Sequence, residues 1–121
     1  MSISEAEALI MYALWEHSPL TATELLDTVG AEQAWQESTV KSLLSRLVQK
    51  RAVRTKKDGR RFLYYPVLSR TAYLHGESKS LVDRLFGGRV TPFVAHFLEQ
   101  QKLSKRDLAE LRQLLRELDD D

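Results

Sequence analysis

Apolar residues recur at helical spacing through Ala6, Leu9, Ile10, Ala13 and Leu14, framed by Ser4-x-x-Glu7 in front and Ser18-Pro19 behind. A hydroxyl three residues before a carboxylate is the reciprocal pattern of a capping box, and proline cannot continue a helix, so a first helix is predicted between them. Thr21-x-x-Glu24 repeats the cap, and Leu25, Leu26 and Val29 give a short second helix expected to end at Gly30, with a loop over 31–37. In the third run, Val40, Leu43, Leu44, Leu47 and Val48 share one narrow arc at about 100° per residue and must face a core. Ser38, Ser42, Ser45 and Gln49 occupy the opposite face, with Lys41 and Arg46 on its flanks.

The period then changes. Val53 to Lys56 and Arg61 to Tyr65 are short runs rich in Val, Thr, Phe and Tyr, joined through Lys57-Asp58-Gly59-Arg60. Asp-Gly is a strong two-residue hairpin signal because a type I′ turn needs positive φ twice, and Pro66 ends the pairing. Either Phe62 with Tyr64 or Leu63 with Tyr65 is expected to face inward and anchor the ribbon, since strand alternation accounts for aromatics at these positions.

From Ser69 onward the pattern is helical with little to bury it. Leu74, Leu81 and Leu85, with Val82, make a sparse stripe that stops at Phe86-Gly87-Gly88. Thr91-Pro92 predicts an N-cap with proline at the first helical position, and Ser104 caps a final helix whose Leu108, Leu111, Leu115 and Leu118 alternate spacings of three and four. The expectation is a mostly α chain with a small β-hairpin: a winged helix-turn-helix over 1–68, followed by a three-helix dimerisation region over 69–121. The latter is too small for a core of its own and is expected to pack against a second copy, the alternative being a monomer with the last helix folded back on the wing domain.

Charge changes the picture more than composition does. The net charge of +1 hides a segregation: residues 1–37 hold seven acids and no Lys or Arg. Residues 41–61 hold nine bases (Lys41, Arg46, Lys50, Arg51, Arg54, Lys56, Lys57, Arg60, Arg61) against Asp58 alone, a local +8. Such a field attracts a polyanion and repels itself if nothing binds. Short hydroxyls between long cations leave a helix face low enough to enter a DNA groove and charged enough to hold its walls. Double-stranded DNA is therefore the expected partner, read by Ser38, Thr39, Lys41, Ser42, Ser45 and Arg46, with phosphates held by Lys50, Arg51 and the hairpin cations. The rival from another class is a winged-helix module that docks an acidic protein through the same basic face.

Other chemistry finds little support. The 121 residues include no cysteine, so disulfides, thiolate metal sites and a cysteine nucleophile are out. His17, His75 and His96 stand apart from one another and from any metal-ligand spacing, and no nucleophile elbow, phosphate-binding glycine loop or dinucleotide fingerprint occurs. No cofactor, no metal and no enzymatic activity are expected. The N-terminus lacks a basic signal region and no apolar run approaches the roughly 20 residues of a membrane span, so the chain reads as cytoplasmic, without membrane insertion.

The segments "WQESTVKSLLSRLVQK", "KKDGRRFLYYPV", "SKSLVDRLFGG" and "VAHFLEQQKLSKRDLAELRQLL", in this order, resemble the penicillinase repressor family over nearly the whole chain, from about Ile3 to Leu118. The resemblance implies a homodimeric winged-helix repressor of transcription bound to a dyad-symmetric operator. It carries DNA-contacting roles onto Thr39, Lys41, Ser42 and Arg46 in the recognition helix and onto Lys56, Lys57, Arg60 and Arg61 in the wing, and it makes Trp35 a packing anchor. In the family's β-lactam-responsive members a membrane-bound sensor protease system triggers a cut between Asn and Phe. The matching pair here is His96-Phe97, a departure that leaves a ligand or another partner open as the release signal. Copper-responsive relatives use cysteine pairs, which this chain lacks. Two further departures are Gln36-Glu37 in place of Ser-Pro and Arg51 in place of a helix-ending glycine; the arginine forgoes the easy left-handed cap, at a cost of about 1 kcal/mol, and adds a cation beside the wing.

Overall fold

The computed structural model describes residues 2–120. Helix α1 (Glu5–Glu16) begins with the predicted box: Ser4 Oγ accepts from the Glu7 amide at 3.1 Å and Glu7 Oε1 accepts from the Ser4 amide at 2.8 Å. Its buried face is Glu7, Ala8, Ile10, Met11 and Leu14, a helical stripe rotated from the expected one. Leu9 and Ala13 are only half-buried and line an open acidic groove with Glu16, Asp27 and Glu32.

The second helical segment also starts at its predicted box, with Thr21 and Glu24 bonded reciprocally at 3.0 and 3.1 Å. It runs further than expected, from α2 (Ala22–Leu25) through a π turn (Leu26–Gly30) into α3 (Ala31–Gln33). Gly30 does not end it: its backbone is right-handed helical, and an added Cβ would meet Leu26 Cδ1 at 3.0 Å and Val40 Cγ2 at 3.5 Å. The glycine serves close packing against the next helix. Termination falls to Ala34 at φ 57°, where the Trp35 amide donates to Gly30 O at 2.8 Å and the Ala34 amide to Ala31 O at 3.3 Å.

Helix α4 (Glu37–Gln49) buries Val40, Leu43, Leu44 and Leu47, while Val48 at the edge of the predicted arc stays 37 % exposed. It closes in the same way as α3. Arg51 takes φ 63°, the Arg51 amide donates to Val48 O and the Ala52 amide to Leu47 O, both at 3.0 Å. This pair of bonds satisfies the last carbonyls, and a left-handed residue is what permits it. Together Ile10, Met11, Leu14, Leu25, the four α4 residues, Ala52 and Val53 form the core, flanked by Trp35 and Tyr64.

Strands β1 (Val53–Asp58) and β2 (Arg61–Pro66) pair antiparallel from Val53 with Pro66 to Asp58 with Arg61. The turn is therefore Gly59-Arg60, one residue later than predicted. Only Gly59 has positive φ, at 63°, which is the requirement of a type II′ turn with glycine at its first central position. Leu20 adds a third, one-residue rung: its amide and carbonyl exchange bonds with Tyr64 at 3.3 and 2.8 Å.

Helix α5 (Arg70–Phe86) starts beside α1, where Tyr73 packs with Tyr12 and Trp15 at ring separations of 6.2 and 5.6 Å and Trp15 Nε1 donates to Leu68 O at 2.8 Å. The chain divides into two compact units, 1–75 and 76–121, within this helix. Gly87 and Gly88, both at positive φ, end it. Helix α6 (Val90–Gln100) begins two residues earlier than expected, with Arg89 in place of Thr91 as an N-cap that makes no side-chain bond. Pro92 consequently sits at the third helical position, where its missing N–H has no intrahelical partner to lose. Helix α7 (Lys105–Asp119) starts at Ser104 as expected, its Oγ accepting from Asp107 at 3.0 Å.

Because a non-glycine residue in the left-handed region costs up to about 1 kcal/mol, Arg51→Gly is expected to stabilise the chain by roughly that amount. A urea melt would show the midpoint rising with its slope unchanged.

Candidate nucleic-acid interface

The core stripe of α4 fixes what the helix shows to solvent. With Val40, Leu43, Leu44 and Leu47 turned inward, Ser38, Lys41, Ser42, Ser45, Arg46 and Gln49 are exposed and Thr39 is half-buried. The hydroxyls keep the ridge low, and Arg46 and Lys41 rise at its sides. Lys41 Nζ rests 2.9 Å from Glu37 Oε1, one turn away, and that hydrogen bond holds its ammonium above the usual lysine range. The pair is exposed, so a phosphate can take the lysine from it at little loss.

The hairpin brings a second set of cations. Residues directly opposite in an antiparallel ladder share a face. Arg54 and Lys56 therefore lie with Tyr65 and Leu63 on one side of the ribbon, and Thr55 and Lys57 lie with Tyr64 and Phe62 on the other. Arg54 stacks its guanidinium 4.2 Å from the centre of the Tyr65 ring, which holds it flat against the strand. At the tip, Arg61 bonds Asp58 through both Nε and Nη2, at 3.2 and 3.1 Å. Lys56, Lys57 and Arg60 are exposed. The expectation that one aromatic pair faces inward holds for Tyr64, which packs on the core, but not for Phe62, which remains 49 % exposed. The ribbon has passed the edge of the core by that point.

One of the predicted phosphate contacts stands differently. Lys50 is turned back into the domain: its Nζ donates to Glu7 Oε1 at 2.6 Å and to the Ser2 carbonyl at 2.8 Å. It is not a DNA contact as expected, because reaching a phosphate would strand a carboxylate that is 1 % exposed. Arg51 is exposed beside the wing, in the strained conformation described above.

Glu7 is the residue that sequence reasoning misplaced. The capping-box pattern accounts for its bond to Ser4 alone, yet it also ties the start of α1 to the end of α4. Its signal was present: Glu7 precedes Ile10, Met11 and Leu14 by three, four and seven positions, the spacing of a buried face. Burial alone would push its pKa up. The Lys50 ammonium and the Ser4 amide and hydroxyl outweigh that, and the net shift is downward from 4.5.

In the second unit no residue of α6 or α7 is buried. Of the predicted dimer leucines, Leu81 and Leu111 are half-buried, and Leu85, Leu108, Leu115 and Leu118 are exposed, the last at 71 %. Leu74, also exposed, falls in the first unit. A groove of about 360 Å³ between α6 and α7 is lined chiefly by Phe93, Val94, Phe97, Leu98, Leu111 and Leu114. His96 and Phe97 lie in mid-helix on α6, their rings near Phe86 and Phe93 at 6.1 and 6.4 Å. Among the described residues no cluster of His, Asp or Glu could hold a metal ion, and no helix is long and apolar enough to cross a membrane.

The family model described as penicillinase repressor matches residues 3–117. The chain belongs to the penicillinase repressor family. It is 33 % identical over 115 residues to the penicillinase repressor of Bacillus licheniformis, an alignment covering 95 % of this chain and 90 % of that one. Among solved structures, the DNA-binding domain of the repressor BlaI is 32 % identical, with a TM-score of 0.56 over 60 % of this chain and 88 % of that one. The monomeric form of B. licheniformis BlaI, solved in complex with the blaP half-operator, is likewise 32 % identical, with a TM-score of 0.54 over 60 % of this chain and 89 % of that one. The observed fold is accordingly the winged helix-turn-helix expected from the sequence. Membership puts the chain among DNA-binding transcriptional repressors, a class that is not enzymatic.

For this penicillinase repressor family member the Glu7–Lys50 pair has a measurable signature. A carboxyl whose folded pKa is depressed contributes stability that is present above its unfolded value, here 4.5, and lost as pH falls through the folded value. Glu7→Gln is expected to lose about 2 kcal/mol at neutral pH. Urea melts at a series of pH values should show the difference from the parent shrinking once the pH drops below 4.5.

Proposed function

We propose that the chain works as a homodimer that represses transcription by laying two α4 helices into successive major grooves of a dyad-symmetric operator, about one helical turn apart. The observation that carries this reading is the exposed hydroxyl ridge of α4 with Arg46 and Lys41 at its sides, next to a hairpin bearing Arg54, Lys56, Lys57 and Arg60. Phosphate contacts from the hairpin and from Arg51 supply affinity, and Ser38, Thr39, Lys41, Ser42, Ser45 and Arg46 supply sequence preference. The relative seen on its half-operator supports the assignment.

The second copy is inferred from the second unit. Leu85, Leu114, Leu115 and Leu118 are each more than half exposed, and a helical region with this much apolar surface is stable only against a partner. We place the pairing surface on α5, α6 and α7, and the unit boundaries near 68–75. Release from DNA by a sensor protease is one route consistent with the family. A cut between His96 and Phe97 would separate α7 from the rest of the chain and remove much of that surface, but α6 must first unwind there, because proteases bind extended segments.

With roughly three to five phosphate contacts per subunit, log affinity should fall with log salt at a slope of about −5 to −9. Arg46→Ala is expected to cost about 1–3 kcal/mol on the cognate site and to blur preference there, whereas Lys57→Ala weakens all sequences alike and flattens the slope by about one. Titrations on cognate and scrambled duplexes test this, and equal losses for both variants on both duplexes would remove Arg46 as the reader. Sedimentation of the free protein at micromolar concentration should give twice the chain mass. A single-copy mass would end the dimer assignment, and a protein that ignores DNA but binds an acidic partner would favour a docking module instead.

A further inference from the structure

Phe62 holds a half-exposed ring, 49 % open to solvent, within the cationic surface, and the hairpin register determines which way it looks. Phe62 pairs with Lys57 and shares its ribbon face with Tyr64, two residues on, which packs on the core. It therefore projects from the wing toward the recognition helix rather than away from it. It lines an open groove of about 500 Å³ together with Thr21, Thr23, Lys41, Arg60 and Arg61. Two carboxylates also line that groove, and both are engaged: Glu37 by Lys41 at 2.9 Å and Glu24 by the Thr21 amide at 3.0 Å. Removing the ring's remaining surface from water requires an occupant that is anionic overall and offers an apolar face between its charges.

A nucleic-acid strand has that alternation, with phosphates separated by the carbon face of deoxyribose. We propose that Phe62 is a DNA-contacting residue that packs on a deoxyribose in the groove between wing and recognition helix, while Lys57 and Arg60 take the flanking phosphates and Lys41 stays paired with Glu37. The inference rests on the DNA-binding reading above and adds a non-ionic contact to it. Such a contact releases no counterions, so it contributes affinity that salt does not erode, unlike that of its lysine and arginine neighbours. A sugar carries no base identity, so the contribution is the same on any duplex.

The test uses the full chain and two duplexes, one from the protein's own upstream region and one scrambled, titrated over a range of salt. Phe62→Ala is expected to weaken binding about five- to twenty-fold on both duplexes at every salt concentration, with the log–log slope of the parent. Phe62→Leu should retain most of the affinity. As a check independent of the alanine variant's folding, the Phe62→Trp protein should show a change of emission on binding either duplex that the parent does not. The proposal is overturned if Phe62→Ala stays within about two-fold of the parent and Phe62→Trp emission is unmoved. It is also overturned if the alanine loss comes with the slope change of Lys57→Ala, or is confined to the native duplex. If the parent itself binds neither duplex in low salt, the DNA reading fails first.

Discussion

One helix has to satisfy two surroundings, and the rest of the first unit is arranged around that requirement. Helix α4 presents Val40, Leu43, Leu44 and Leu47 to the core and a ridge of hydroxyls with flanking cations to solvent. The apolar stripe fixes the rotation of the helix about its axis, and with it which side chains point away. Burying these side chains contributes on the order of 2 kcal/mol each, enough to hold that rotation against the mutual repulsion of the nearby bases. The fold thereby stabilises a charged surface that would oppose compaction if it stood alone.

Both ends of α4 are held by unusual means. At the N-terminal side, Gly30 lets the π turn pack within van der Waals reach of Val40, and Ala34 in the left-handed region turns the chain toward Trp35 and the helix start. At the C-terminal side, Glu7 reaches across from α1 to Lys50, and Arg51 makes a closing turn that glycine would make with less strain. Keeping a cation where glycine is easier is intelligible if the position lies along a phosphate strand. Stability is given up locally at a place where charge has a use.

How much of this could be read from the chain depended on how local each cause was. The capping boxes at Ser4 and Thr21, the Ser104 cap and the α4 stripe are set by neighbours three or four residues apart, and all were legible. The helix ends were less so, because glycine is the usual signal of a left-handed position while the chain uses Ala34 and Arg51; Gly30 is needed for space instead. The turn was displaced by one residue because Asp-Gly and Gly-Arg are both acceptable hairpin pairs, and only the register tells them apart. The Leu20 rung and the Lys50–Glu7 contact join residues more than 40 apart in sequence, and no local pattern announces either. Of the candidate interface, the residue types and faces were visible, but the inward turn of Lys50 and the outward stand of Phe62 required the tertiary structure.

Trp15 and Trp35 are the chain's two tryptophans, and both lie in the 1–75 unit, Trp15 bonded to Leu68 and tilted on Tyr73 and Trp35 at the threshold of α4. The intrinsic ultraviolet emission of the molecule is thus a private signal of its first unit. Loss of order confined to residues 76–121 would pass unseen by that optical channel, while far-ultraviolet dichroism, dominated there by α6 and α7, would register it. Two probes that disagree on a midpoint would mark the halves as separately cooperative.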